Sequence, residues 1–364
     1  MHLAELLACR PVPASAVFVA LTRRCPLRCR HCSTMSAVTS EQQPAEPLRR
    51  FARTFTAADH PEFLLLTGGE PLLRPGLVRT LAETARAAGT RSYVLTGAFY
   101  AERGGLPAPV RRALSSVDHV AVSVDVFHEE QVPRERVFRL LHEILATGRD
   151  VSIQACGTGP DDPYLAGLTG DVRREFGDRV PMLVTTVRPA GRARAWLAAA
   201  TGPATESAAS GIPAEPPAAP CELLSWPVVA FDGTVAACCN QDVLDARPVP
   251  AHLRLGHVSS VTWPEVRRAC ESSAALRALR TRGPLQLAHR FGAAGTDYCT
   301  TCRSLPARAL RGAEAEAGRP AARLIEQQAI ALQQAAGPAG FARRHGDPSR
   351  ADLVLLGYPG SPGC

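Results

Sequence analysis

The sequence predicts an α/β fold assembled from parallel βαβ units. Three observations carry this. Short β-branched runs recur through the first half of the chain, stretches with helical periodicity lie between them, and most runs end in polar or glycine residues. The runs predict strands over 17–22, 63–67, 92–96, 119–125, 151–155 and 182–187. The intervening apolar periodicity predicts helices over 47–55, 76–88, 107–115, 134–147 and 165–176. Strands alternating with helices pair in parallel through right-handed crossovers and close into a full or partial barrel or an open sheet. In each case the chemistry sits at the carboxyl ends of the strands.

Residues 196–220 carry five prolines among Ala, Ser, Thr and Gly with no amphipathic period, which predicts a linker. Beyond it, runs at 226–231 and 234–237 split by Asp232-Gly233 predict a hairpin. A helix follows Trp263-Pro264, because proline suits a first helical turn and apolar positions recur through Leu279. An Ala- and Gln-rich helix over 321–335 precedes a GYPGSPGC end expected to be disordered. The predicted organisation is a core over 1–195, a linker over 196–220, a cysteine-bearing unit over 221–305, and a helical, partly disordered tail over 306–364.

Composition narrows the chemistry. All 41 cations of the 364 residues are arginine, and the formal charge is +7. The absence of lysine excludes a Schiff-base lysine and the lysine of a phosphate-binding P-loop. The arginines are scattered without an aromatic-interleaved stripe and aromatic residues are only 5%, so no nucleic-acid partner is expected. Leu6-Leu7-Ala8-Cys9 resembles a lipoprotein cleavage site but lacks a basic flank, and Glu5 interrupts its hydrophobic stretch. The longest apolar runs are of strand length, so no membrane partner is expected either. A cytoplasmic location is expected, where closely spaced cysteines among the twelve serve as metal ligands rather than disulfides.

Cys25, Cys29 and Cys32 form a C-x3-C-x2-C triplet directly after the first strand. Three close thiolates can hold three irons of a [4Fe-4S] cluster and leave the fourth iron open to another ligand. A zinc site that includes His31 is the alternative, with awkward geometry because His31 immediately precedes Cys32. With Thr67-Gly68-Gly69-Glu70-Pro71 after the second strand, the triplet resembles the radical S-adenosylmethionine (radical SAM) superfamily. That resemblance implies a partial (β/α)6 barrel. It also implies that Gly68, Gly69 and Glu70 bind the amino group of the SAM methionine, the glycines by close backbone approach and the carboxylate by charge. By the same analogy Ser123 and Asp125 meet the ribose, and Arg192, in Arg188-Pro189-Ala190-Gly191-Arg192-Ala193, belongs to the cofactor site. Gln154 is a further cofactor candidate.

Cys221, Cys238, Cys299 and Cys302 resemble the SPASM and twitch extensions of this superfamily, which hold auxiliary iron–sulfur clusters. A complete SPASM domain would place further cysteines where Arg308 and Gly312 stand, so the truncated twitch form fits better. The resemblance thus implies a small C-terminal hairpin and helix extension with a second [4Fe-4S] cluster. Cys239 competes with Cys238 as a ligand, and a four-cysteine zinc site is the alternative. Cys9, Cys156, Cys270 and Cys364 have no partner at ligand spacing.

The implied activity is reductive cleavage of SAM, with electrons from a ferredoxin or flavodoxin, and hydrogen abstraction by a 5′-deoxyadenosyl radical. The auxiliary cluster then accepts an electron from the substrate radical. His128, by position and ordinary pKa, and Tyr100 are the candidate proton acceptors. Two substrate classes are expected. The first is a ribosomally made peptide, served by a separate recognition protein because the first strand begins within twenty residues; the second is a small polyol or aminocyclitol. A zinc-dependent nucleic-acid-binding protein is the third and weakest reading.

Overall fold

The structure is a computed structural model describing residues 1–103, 106–201, 215–293, 295, 297–317 and 319–360. Its strands are β1 Ala16–Ala20, β2 Phe63–Thr67, β3 Arg91–Thr96, β4 His119–Ser123, β5 Asp150–Gly157, β6 Met182–Thr186, β7 Val228–Val229, β8 Thr234–Ala236 and β9 Arg254–His257. They form one unclosed sheet in the order β6-β5-β4-β3-β2-β1-β7-β8-β9. Pairing is parallel from β1 to β6, each strand beside its predecessor. The architecture is therefore α/β on a mostly parallel, open sheet.

In the first half the helices are α1 Leu3–Ala8, α2 Ala45–Ala52, α3 Pro75–Ala87, α4 Ala108–Ser116, α5 Val126–Glu129, α6 Arg134–Leu145, α7 Pro163–Phe176 and α8 Ala193–Thr201. The second half adds α9 Gln241–Leu244, α10 Trp263–Ser272, α11 Ala274–Arg282, α12 Pro284–Arg290, α13 Tyr298–Arg303, α14 Ala307–Ala317 and α15 Pro320–His345. Among the described residues no helix is long and apolar enough to cross a membrane.

The strands are apolar on both faces because both are covered. Val17, Val19, Leu64, Leu66, Val94, Val120 and Val122 pack outward into the core shared with the crossover helices. Their alternates Ala16, Phe63, Leu65, Tyr93 and Ala121 face inward, against Leu3, Leu6 and Leu7 of α1, Trp226, and Phe341 and Ala342 of α15. Burying a side chain such as Leu6 or Phe341 stabilises by roughly 1.5–3 kcal/mol, so both ends of the described chain are held by the concave face. The described residues of the tail expected to be partly disordered include a helix over Pro320–His345, bent at Gly337-Pro338, and a 3-10 turn over Pro348–Leu355. Residues 361–364 lie outside the described set.

Three other expectations are revised. The hairpin does not stand apart: β7 pairs in parallel with β1 through Phe18↔Val228 and Val19↔Val229, covering a sheet edge that would otherwise be open. β9 was not predicted, because Arg254-Leu255-Gly256-His257 shows no apolar alternation, and it pairs antiparallel with β8. α8 occupies the start of the expected linker, where alanine's helix propensity outweighs the missing amphipathic period. Residues 202–214 of that linker lie outside the described set.

α11 and α15 are joined by a buried ion triad in which Arg277 Nε lies 2.9 Å and Arg280 Nε 2.8 Å from the Glu326 carboxylate. Removing Glu326 would take the shared carboxylate away from two buried guanidinium groups.

His119 supplies a pH test of the fold. It is fully buried at the start of β4, with Nε2 2.8 Å from Ser152 Oγ and its ring stacked on Tyr93. Burial lowers its pKa from 6.5 to about 4. Between these values the unfolded chain binds more protons than the folded one, so this contribution is complete above pH 6.5 and is lost as pH falls toward 4. We expect unfolding free energy to decline by on the order of 3 kcal/mol across that window through this group. His119→Gln should flatten the decline in urea titrations, and an unaltered slope would contradict the assignment.

Candidate functional site

The segment between β1 and α2 has no regular structure of its own and depends on its neighbours. Gly69 N donates to Thr22 O at 2.6 Å and Glu70 N to Arg24 O at 2.8 Å. A Cβ on Gly69 would come within 2.4 Å of Arg24 O, so only glycine permits this approach. From the other side Arg192 N donates to Cys32 O at 3.0 Å, and its guanidinium donates to Cys29 O at 2.9 Å and Ser36 O at 2.8 Å. Gly191, at φ 53°, lies so close that a Cβ would be 2.3 Å from Cys32 O. Trp196 Nε1 of α8 donates to Arg30 O at 3.1 Å.

Held in this way, Cys25, Cys29 and Cys32 line one cavity of about 460 Å³ at the carboxyl ends of the strands, together with Gly68, Gly69, Ser123, Asp125, His128, Gln154 and Arg192. All three thiols are free. Burial pushes Cys25 up to about 12. Burial opposes ionisation of Cys32 too, but hydrogen bonds from Thr34 and Ser36 and the Arg192 charge leave it below the usual thiol range. Sulfur contacts are already present: Gln131 Nε2 donates to Cys29 Sγ at 3.7 Å, and Thr34 Oγ1 lies 3.2 Å from Cys32 Sγ.

Four expected residues behave differently from the sequence reading. Glu70 does not line the cavity: its carboxylate accepts from Leu72 N at 2.9 Å, Gly97 N at 2.9 Å and Thr96 Oγ1 at 2.9 Å. Burial raises its pKa to about 7, and it braces the turn from within. Asp125 caps α5 by accepting from Phe127 N and His128 N, and it also faces His128 Nδ1 at 3.0 Å and His31 Nε2 at 3.4 Å. His128 is a poor proton acceptor: burial works against its charged form, but Asp125 and Cys29 outweigh burial and hold its pKa up at about 10. Tyr100 lies in the outer core away from the cavity, and burial drives its phenol upward. Neither residue fits the expected role of base. Gln154 donates to Tyr93 Oη at 3.0 Å on the cavity wall.

Cys221, Cys238, Cys299 and Cys302 line a second cavity of about 360 Å³. Cys221 precedes a short 3-10 turn, Cys238 follows β8, and Cys299 and Cys302 sit three residues apart on α13, hence on one face. Burial raises Cys221 to about 11 and Cys302 to about 12. Cys239 lies instead on a third cavity, inside the barrel, so the geometry favours Cys238 for the second set. A single zinc with Zn–S bonds of about 2.3 Å draws its sulfurs to within about 3.8 Å of one another. Among the described residues, the one trio of His, Cys, Asp or Glu ligand atoms within 4.8 Å is His31, Asp125 and His128. Both cysteine sets are therefore spread more widely than a lone zinc requires.

The sequence profile of the radical SAM superfamily matches residues 19–157, from β1 to the end of β5. These residues form a radical SAM domain. The match stops before β6 and the second cysteine set. Over 84 residues the chain is 42% identical to pre-heme d1 synthase of Dinoroseobacter shibae, covering 21% of this chain and 19% of that protein. Over 82 residues the chain is 39% identical to GTP 3′,8-cyclase of Geobacter sulfurreducens, covering 21% of this chain and 25% of that one. The chain thus spans a quarter or less of the curated relatives it matches. Among solved structures, native anSMEcpe with bound AdoMet and Cp18Cys peptide aligns with 87% of this chain and 99% of its own, at 14% identity and a TM-score of 0.45.

Two outcomes test the site. Arg192→Leu removes two charge-assisted bonds to carbonyls of the cysteine loop, each worth about 1.5–3 kcal/mol; iron bound by the triplet should be lost faster to a chelator while far-UV dichroism stays unchanged. Cys238→Ser should lower bound iron and Cys239→Ser should not; the reverse would reassign the ligand.

Proposed function

We propose that this protein is a radical SAM enzyme that oxidises a small molecule inside its barrel. The observation that carries the reading is the convergence of Cys25, Cys29 and Cys32 on one cavity with the Gly68-Gly69 turn, at the open ends of parallel strands in a radical SAM domain. Three free thiols on one loop fit a [4Fe-4S] cluster with one open iron, while Cys156 lines the same cavity from β5, apart from that loop. When bound, cluster and SAM together supply reductive C–S cleavage and a 5′-deoxyadenosyl radical that removes a substrate hydrogen.

The chain's own residues orient and insulate that chemistry. Gly68 and Gly69 present backbone to the methionine end of SAM, with Glu70 fixing the turn from behind. Ser123 and Asp125 lie on the wall proposed for the ribose, and Gln154 stands deeper. Arg192 lines the same cavity and positions the cysteine loop. The four thiols of the second cavity fit a fully coordinated auxiliary cluster that exchanges electrons, in keeping with a twitch-type extension. A ferredoxin or flavodoxin is the proposed donor.

The third cavity, of about 290 Å³, shares Thr67, Leu95, Gln154 and Thr185 with the first. Leu3, Leu6 and Leu7 of α1 and Phe341 of α15 form part of its lining. The small volume and mostly apolar lining favour a small molecule over a peptide with a separate recognition protein. His345 lines all three cavities, with Nε2 3.3 Å from Glu222, and replaces His128 and Tyr100 as the proposed proton acceptor.

Anaerobically isolated protein should contain about eight irons per chain, four for each cluster. Replacing Cys25, Cys29 and Cys32 together by alanine should leave about four and abolish 5′-deoxyadenosine formation. Cys299→Ala with Cys302→Ala should retain SAM cleavage but lose the oxidised product, and His345→Gln should slow product formation more than cleavage. One zinc per chain without acid-labile sulfide would overturn the reading.

A further inference from the structure

The inner cavity contains a charge that the protein itself leaves without an anion. Arg10, just after α1, is 3% exposed and lines this cavity. Its guanidinium carbon lies 4.4 Å from the Trp226 ring centroid, 5.6 Å from that of Phe18 and 6.0 Å from that of Phe341. Nη2 lies 3.6 Å from Cys239 Sγ, and Nη1 is buried with no acceptor at all. Among the described residues no carboxylate reaches it, whereas the similarly buried Arg277 and Arg280 share Glu326. Ring contacts offset part of the cost of desolvating the cation. They do so through π-faces, and the N–H groups still require an acceptor.

We propose that Arg10 recognises a carboxylate on the substrate, and that the substrate is a small, largely apolar carboxylic acid. The inference rests on the small-molecule reading above. A carboxylate offers two oxygens to the planar fork of one arginine. Arg188 also lines the cavity, but it is exposed and donates to His345 O, so the buried fork short of an acceptor is that of Arg10. With the acid group at Arg10, the apolar body lies along Phe18, Leu65, Tyr93 and Leu183, and its far end reaches the wall shared with the SAM cavity. Arg10 thereby sets which end of the substrate faces the radical. It acts as a specificity residue and takes no proton.

The test uses the full-length, anaerobically reconstituted protein and two isosteric probes, 3-phenylpropionate and 3-phenylpropionamide, in calorimetric titrations without SAM. The acid should bind at least tenfold more tightly than the amide. Arg10→Gln should bring acid affinity down to the amide's level without changing iron content. Equal affinity of the two probes, no binding of the acid, or undiminished acid binding by Arg10→Gln would overturn the proposal. The last result would leave Arg10 as a partner of Cys239 alone. If Arg10→Gln does not fold, the acid-to-amide comparison in the unaltered protein still decides. Iron content and SAM cleavage, measured on the same samples, report separately on the proposed radical chemistry.

Discussion

The constraint on which the site depends is backbone contact between the cysteine loop and the strand ends around it. That loop has no helix or strand to hold three sulfurs in place, and the carbonyl oxygens of residues 22, 24, 29, 32 and 36, as acceptors, take over that work. The closest of these contacts depend on glycine or arginine. Gly69 and Gly191 let one backbone touch another, and Arg192 reaches two carbonyls with one planar group. The barrel thus holds the triplet from both sides, with β2 contributing one jaw and the segment after β6 the other.

The same geometry explains which parts of the molecule were legible in the sequence. Parallel strands covered on both faces leave unbroken apolar runs, and the six strands and five of the eight helices of the first half fall within a few residues of predicted bounds. The cysteine triplet and the glycine pair were visible because their chemistry requires particular residues at close spacing. Less visible were features defined by contact between distant segments. Glu70 looks like a ligand in the linear motif, yet the donors that capture it come from Leu72, Thr96 and Gly97. Tyr100 follows a strand end but turns into the outer core. Arg10 carries no motif, and its burial among the rings of Phe18, Trp226 and Phe341 with Nη1 lacking an acceptor is a matter of distant contacts. For α8, β9 and the course of α15 beyond Pro338, local pattern was absent or misleading, and packing decided the outcome.

The three cavities are joined rather than parallel features. Arg188 and His345 line all of them. His345 ends α15, and with Arg344 it faces Glu222, the neighbour of Cys221. The C-terminal helix therefore links the second cysteine set to the barrel interior, and a shift in its last turn would be felt at every cavity.

The meeting of α1 with α15 beneath the sheet also bears on how the protein is made. Segments near opposite extremes of the sequence form the floor, so a ribosome must emit nearly everything between them before the floor can close. Such distant pairing is slow to form and leaves the inward faces of β2 and β3 uncovered during synthesis. Until then Phe63, Leu65 and Tyr93 have neither Leu6 nor Phe341 above them. An emerging chain therefore exposes a continuous apolar surface until α15 arrives.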